Sequence, residues 1–117
     1  MEFQSELKSG VRVVSLQGHW TGGHDDDRLR SSLMECVREG ERVFVFDMSE
    51  IDLLNSIGLG RLVSYYTSLT REGGKIALAG LQDRHRRAAY VARILDLFDD
   101  FDDVDEAVQK LSAAAES

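Results

Sequence analysis

Ser56 is the residue of this sequence best placed to do chemistry. It comes after a solid apolar run, Val43-Phe44-Val45-Phe46, that ends in Asp47, and it opens the pattern Ser56-Ile57-Gly58-Leu59-Gly60. A hydrolase nucleophile elbow needs Gly-x-Ser-x-Gly, whose first glycine permits the sharp turn, and Leu54 occupies that place. Gly58-x-Gly60-x-x-Val63 lacks the third glycine of a dinucleotide-binding loop. Leu78, not an acid, stands about twenty residues on. A phosphate-cradling loop would carry Gly-Lys-Ser or Gly-Lys-Thr, and neither occurs. On chemistry alone the Ser56 hydroxyl reads as a helix N-cap among the unpaired N–H groups of a first turn. No catalytic residue is assigned, and an enzyme built on Ser56 with His19, His24 or His85 ranks last among the functional readings.

Other chemistry-bearing residues read more plainly. Asp25-Asp26-Asp27 falls at the amino end of a predicted helix, where carboxylates favour the positive end of the helix dipole. Helix initiation is therefore preferred to a metal site. His19 and His24 flank Trp20 at an offset that matches no metal-ligand spacing, and they read as solvated loop residues. Arg84, Arg86 and Arg87 cluster with His85 at another predicted helix start. Cations there oppose the dipole, which makes the cluster a candidate anion site, with a solvated face as the stronger reading. Cys36 is the sole cysteine, which excludes an internal disulfide and a thiolate metal cluster and points to a reducing compartment. No metal and no cofactor is expected.

The elements that must hold these residues follow from periodicity. Val43 to Phe46 are β-branched or aromatic without alternation, as in a central strand covered on both faces, and a short link carries the chain on to Ser56. Leu59, Leu62, Val63, Tyr66 and Leu69 then form the stripe of an amphipathic helix over 57–72, with Arg61, Ser64, Ser68, Arg71 and Glu72 opposite. Gly73-Gly74 stops it, and Lys75–Ala79 is the next strand, completing a parallel, right-handed βαβ unit. Upstream, Glu2–Leu7 and Val11–Gln17 pair antiparallel across Lys8-Ser9-Gly10, the first at the sheet edge, before Gly18 opens a loop. Leu29, Leu33, Cys36 and Val37 mark a helix ending at Gly40. Downstream, Arg84–Leu95 is a helix with Ala88, Val91, Ala92 and Leu95 inward, and Phe98–Asp103 is an acidic connector holding a last bit of strand. Val104, Ala107, Val108, Leu111 and Ala115 define a final helix capped by Asp103, with Asp105 and Glu106 in its first turn.

These elements predict an α/β fold: a mixed sheet of four or five strands with a parallel core and four helices, in one domain over 1–117. The chain of 117 residues is 43% hydrophobic and 30% charged with a net charge of -7, the balance of a globular protein. That charge disfavours nucleic acid as a partner. The amino terminus lacks the basic start and apolar core of a signal peptide, and no apolar run approaches the ~20 residues of a membrane span. A cytoplasmic protein without a membrane contact is expected.

Asp47-Met48-Ser49, followed after five residues by Asn55-Ser56-Ile57-Gly58-Leu59-Gly60, resembles the signature of the STAS domain, and of bacterial anti-sigma factor antagonists in particular. The resemblance covers nearly the whole chain, since the opening strand pair, the Gly18 loop, the REGGKIALAGL segment and the terminal helix fall in the family's order. It implies the STAS fold and a role in transcription regulation by partner switching, as in stress responses. Ser56 would be phosphorylated by a partner that is both anti-sigma factor and serine kinase. The unphosphorylated form would bind that partner and release a sigma factor, and a phosphatase would restore it. The partner face implied is Asn55, Ser56, Ile57, Gly58, Leu59, Gly60 and Arg61, supported by Asp47 and Ser49, on a monomer or weak dimer. One departure stands out: the family commonly has aspartate before the phosphorylated serine, and here the residue is Asn55. The alternative implied by the same family is a STAS scaffold or ligand-binding module of stressosome or lipid-transport type. Gly58 and Gly60 leave the first helical turn open to a docking partner or, equally, allow tight helix-to-sheet packing.

Overall fold

The computed structural model describes residues 1–23 and 25–116, without the side chains of residues 25 and 114–116. The expectations for His24, for the Asp25 carboxylate and for the Ala115 side chain lie outside it. Ten elements follow in order: β1 (Glu2–Lys8), β2 (Val11–Trp20), α1 (Asp25–Arg38), β3 (Val43–Leu54), α2 (Ser56–Arg71), β4 (Lys75–Ala79), α3 (Asp83–Val91), a 3-10 turn (Leu95–Leu97), β5 (Asp99–Phe101) and α4 (Val104–Glu116). They form the expected α/β architecture. The sheet runs β1-β2-β3-β4-β5, with β1 antiparallel to β2 at the edge and the remaining neighbours parallel.

That sequential order explains the layers. Crossovers of one hand that all step the same way across a sheet deliver their helices to the same face. Leu29, Leu33 and Val37 of α1 and Leu62, Tyr65 and Leu69 of α2 accordingly share one core with Val14, Leu16, Phe44 and Phe46. On the opposite face Ala107 and Leu111 of α4 close over Val11, Val13, Val43, Val45, Ala77 and Ala79. Val45 is fully buried in the middle strand, as its run predicts. Asp103 caps α4, its Oδ1 accepting from the Glu106 N–H at 2.8 Å.

Two strands outrun the expectation. β2 continues through Gly18-His19-Trp20 where a loop was expected, and β3 continues to Leu54 where a link was expected. They pair in parallel to the end, Trp20 opposite Leu54, with register shifts between Ser15 and Gln17 and between Gly18 and His19. Each shift places an extra residue on β3, so its buried positions fall at Met48, Ile51 and Leu54. A spacing of three hides a strand from a period-two reading.

The helices hold two further corrections. α2 buries Gly58, Leu62, Tyr65 and Leu69, so the true inner line is rotated from the predicted stripe, whose Leu59, Val63 and Tyr66 are half-buried flanks. α3 ends at Val91, short of Leu95, and buries His85 and Ala89. Val91 and Ala92, expected inside, are exposed. A histidine four residues before an alanine took the inward line that polar character had argued against.

Candidate functional site

The carboxyl end of β3 delivers the chain to α2 through one extended residue, Asn55, at φ -101° and ψ -174°. Its Oδ1 accepts from the N–H groups of Ile57 and Gly58, both at 3.0 Å. Asn55 is thus the N-cap and Ser56 the first helical residue, one position inward of the role expected for the serine. The reason is reach. A short side-chain carbonyl on an extended residue points at the second and third N–H groups of the helix, whereas a residue already helical points its hydroxyl outward. Ser56 is exposed, and its hydroxyl has no hydrogen-bond partner among the described residues. Asparagine caps as well as aspartate does, so the departure at position 55 keeps the geometry and removes a negative charge beside the serine.

The start of α2 is clamped to the sheet. A Cβ on Gly58 would collide with the Trp20 carbonyl oxygen and lie 2.7 Å from Leu54 Cδ1. Gly60 faces open space. The two glycines therefore divide the alternatives that the sequence left open: Gly58 permits close packing, and Gly60 leaves the outer surface bare. The Trp20 indole N–H donates to Asp26 Oδ1 at 2.8 Å, and the Tyr65 hydroxyl donates to the Asp26 carbonyl at 3.1 Å. Arg61 Nε lies 3.4 Å from Asp26 Oδ2, an oxygen with no hydrogen bond. Asp26 is 5% exposed, so the middle residue of the acidic triplet does more than start a helix: it joins β2, α1 and α2. Burial first, and then the Asp26 charge, push the Tyr65 phenol up to about 12. Trp20, Phe46 and Tyr65 stack beneath, with ring centroids 5.8 to 6.2 Å apart.

Asp47 and Ser49, read as supporting residues, touch each other directly. Asp47 Oδ1 accepts from the Ser49 backbone N–H at 3.1 Å and from its hydroxyl at 2.7 Å. Gln82 Nε2 donates to the carbonyls of Ser49 and Ile51, and Arg84 donates to the Asp52 carbonyl at 2.6 Å, so the beginning of α3 holds the outer end of β3. This disperses the arginines read as a candidate anion site, with a solvated face as the stronger reading. Arg84 serves a carbonyl, Arg86 pairs with the Asp100 carboxylate, and Arg87 alone of the three is exposed without a partner among the described residues. His85 is buried, and that burial, with the charge of Arg84 second, lowers its pKa. His19 is exposed on β2, not in a loop. Among the described residues no group of three His, Cys, Asp or Glu could hold a metal, and no helix is long and apolar enough to cross a membrane.

Around Ser56 the surface is apolar in two places, Leu53 at 49% and Ile57 at 50% exposure. Leu53 was absent from the expected face because bulged β3 reads as a link. Glu50 and Asp52 of β3 and Gly60 and Arg61 of α2 are also exposed.

A five-stranded mixed sheet with helices packed on both faces is an α/β domain. The STAS domain model matches residues 2–107, and the chain belongs to the STAS domain family. Solved structures share the fold. An anti-sigma factor antagonist from Mycobacterium paratuberculosis is 23% identical, with 99% of this chain and 94% of that one covered at a TM-score of 0.77. The anti-sigma factor antagonist SpoIIAA in its unphosphorylated form is 17% identical, with 96% and 97% covered at a TM-score of 0.78. A sulfate transporter family protein from Wolinella succinogenes is 20% identical, with 96% and 93% covered at a TM-score of 0.79.

Proposed function

We propose that this chain is an anti-sigma factor antagonist that binds an anti-sigma factor with serine kinase activity and is released from it by phosphorylation of Ser56. The observation that carries the reading is the free, exposed Ser56 hydroxyl between Leu53 and Ile57 on a helix start whose cap is supplied by another residue. Membership of the family that includes anti-sigma factor antagonists supports it. The partner face is Asn55 to Arg61, with Leu53 added, and Asp47 and Ser49 brace the strand beneath. The domain acts by binding and not by catalysis, in the cytoplasm, and a phosphatase resets it.

Energetics favour a switch at the interface over one in the fold. A phosphoryl group adds about -1.5 to -2 charges where backbone N–H groups and the helix dipole tolerate them, a stabilising effect of about 1 kcal/mol. Forcing the same unpaired charge into an interface costs several kcal/mol. The partner is expelled and the domain stays folded. Exposed Glu50 and Asp52 add repulsion toward an acidic partner surface.

The test uses the kinase-like anti-sigma factor encoded nearest this gene. Ser56→Ala is expected to take up no phosphate from ATP yet bind as the unmodified protein does, and Ser56→Asp to bind about a hundredfold more weakly, equivalent to ~3 kcal/mol. Site mapping by mass spectrometry separates Ser56 from its rivals. Ser49 is engaged by Asp47, and Ser64 is half-buried and accepts from Arg30 at 2.6 Å. Phosphate on Ser49 or Ser64 alone, or equal affinities for the two variants by titration calorimetry, would leave a STAS scaffold as the better reading.

A further inference from the structure

The end of α3 carries a surface that the switch does not use. Tyr90 and Val91 are the most exposed large apolar side chains of the described chain, at 72% and 73%. With Arg93, Leu95 and Asp96 they line an open concavity of about 360 Å³. Arg93 sits at φ 62°, in the left-handed region, where the chain turns out of the helix with the Arg93 N–H donating to the Tyr90 carbonyl and the Ile94 N–H to the Ala89 carbonyl, both at 3.0 Å. Glycine fits that position without strain and an arginine does not, so a strained backbone here presents a guanidinium beside two bare apolar side chains. Arg93 and Asp96 are both exposed, and neither has an ion-pair partner among the described residues.

We infer that this surface pairs two copies of the chain about a two-fold axis. A two-fold contact must be complementary to itself, and a concavity lined by one free cation and one free anion three residues apart meets that condition, Arg93 of each copy facing Asp96 of the other. A uniformly acidic or basic partner would be repelled by one of the two. The chain carries a net charge of -7, so two copies approach with least repulsion where their charges balance, as they do between Arg93 and Asp96. Tyr90 supplies a rigid aromatic knob with a polar tip, the kind of side chain enriched at the centre of interfaces. A patch of a few apolar side chains falls well short of the ~800 Å² per partner of a stable complex, so the pairing is weak and depends on concentration. It lies two turns along α3 from Arg84, which touches Asp52, and it uses no residue of the Asn55–Arg61 face. The inference therefore stands apart from the proposed function.

Sedimentation velocity on the whole chain, from about 10 µM to about 1 mM, tests it. The sedimentation coefficient is expected to rise with concentration. Arg93→Asp and Asp96→Arg are each expected to weaken pairing at least tenfold, and the double swap, which restores opposite charges across the axis, to recover most of it. Tyr90→Ala is expected to abolish it. Arg93→Gly separates a binding role from a structural one: it relieves the left-handed strain, so the thermal midpoint is expected to rise while pairing falls. A wild-type chain that stays monomeric at the highest concentration, single charge variants that pair as the wild type does, or a double swap that recovers nothing overturns the inference.

Discussion

Asn55 and Ser56 divide two tasks that a single residue was expected to perform. Asn55 satisfies the helix start, which leaves the serine hydroxyl free of structural work. Asn55→Ala is expected to lower stability by about 1 kcal/mol. Asn55→Asp keeps the cap and places a negative charge at the positive end of α2, and is expected to raise stability by about 0.3–1 kcal/mol. Ser56→Ala is expected to change it little, since no described group depends on that hydroxyl. Urea denaturation of the three variants checks the order, and a large loss for Ser56→Ala would return the capping role to the serine. The two glycines make a second contrast. Gly58→Ala drives a methyl into the Trp20 carbonyl and is expected to cost about 2–3 kcal/mol or more. Gly60→Ala meets nothing and is expected to gain up to about 1 kcal/mol from helix propensity. Equal effects at the two sites would contradict the packing described.

Among the elements, the joint of β2, α1 and α2 sets where α2 begins. Asp26→Asn keeps an acceptor for the Trp20 indole and removes the charge that faces Arg61. Asp26→Ala removes the acceptor as well, leaving a buried indole N–H unpaired at a cost of about 1–3 kcal/mol. Alanine is therefore expected to be clearly less stable than asparagine, with a shift in Trp20 fluorescence, read by chemical denaturation and emission spectra. In the central strand, Val45→Asp buries an unpaired carboxylate in the core beneath α4 and is expected to unfold the domain at moderate denaturant. An unchanged midpoint would contradict the strand order.

For the whole molecule, His85 ties stability to pH. Its pKa in the folded state lies below the ordinary 6.5, through burial first and the Arg84 charge second. As pH falls through about 6.5 the unfolded chain takes the proton before the folded one does, so stability declines from there down to the folded value. Above about 6.5 the ring is neutral in both states and adds no pH dependence. His85→Gln is expected to flatten this part of the profile, which urea midpoints at about pH 7.5 and about pH 5.5 measure directly. A slope unchanged by the substitution would place the titration elsewhere.

Local chemistry is what a sequence carries well. The unbroken Val43–Phe46 run, the Gly73-Gly74 stop and the Asp103 cap each depend on neighbours within a few residues, and each stands in the structure much as composition and spacing imply. Contacts across the sheet were not legible. Two bulged positions on β3 destroyed its alternation, so its outer half and the matching end of β2 passed for loops, and Leu53 went unnoticed. Tyr65 and His85 lie inside because Gly58 and Ala89 let their helices settle with those faces inward, a choice made by packing against the sheet. Asp26 and Trp20 lie close in sequence, yet only the meeting of β2, α1 and α2 makes them partners. Which of Asn55 and Ser56 caps the helix was likewise decided by where β3 ends, because an extended residue can turn its side chain onto the next turn and a helical one cannot.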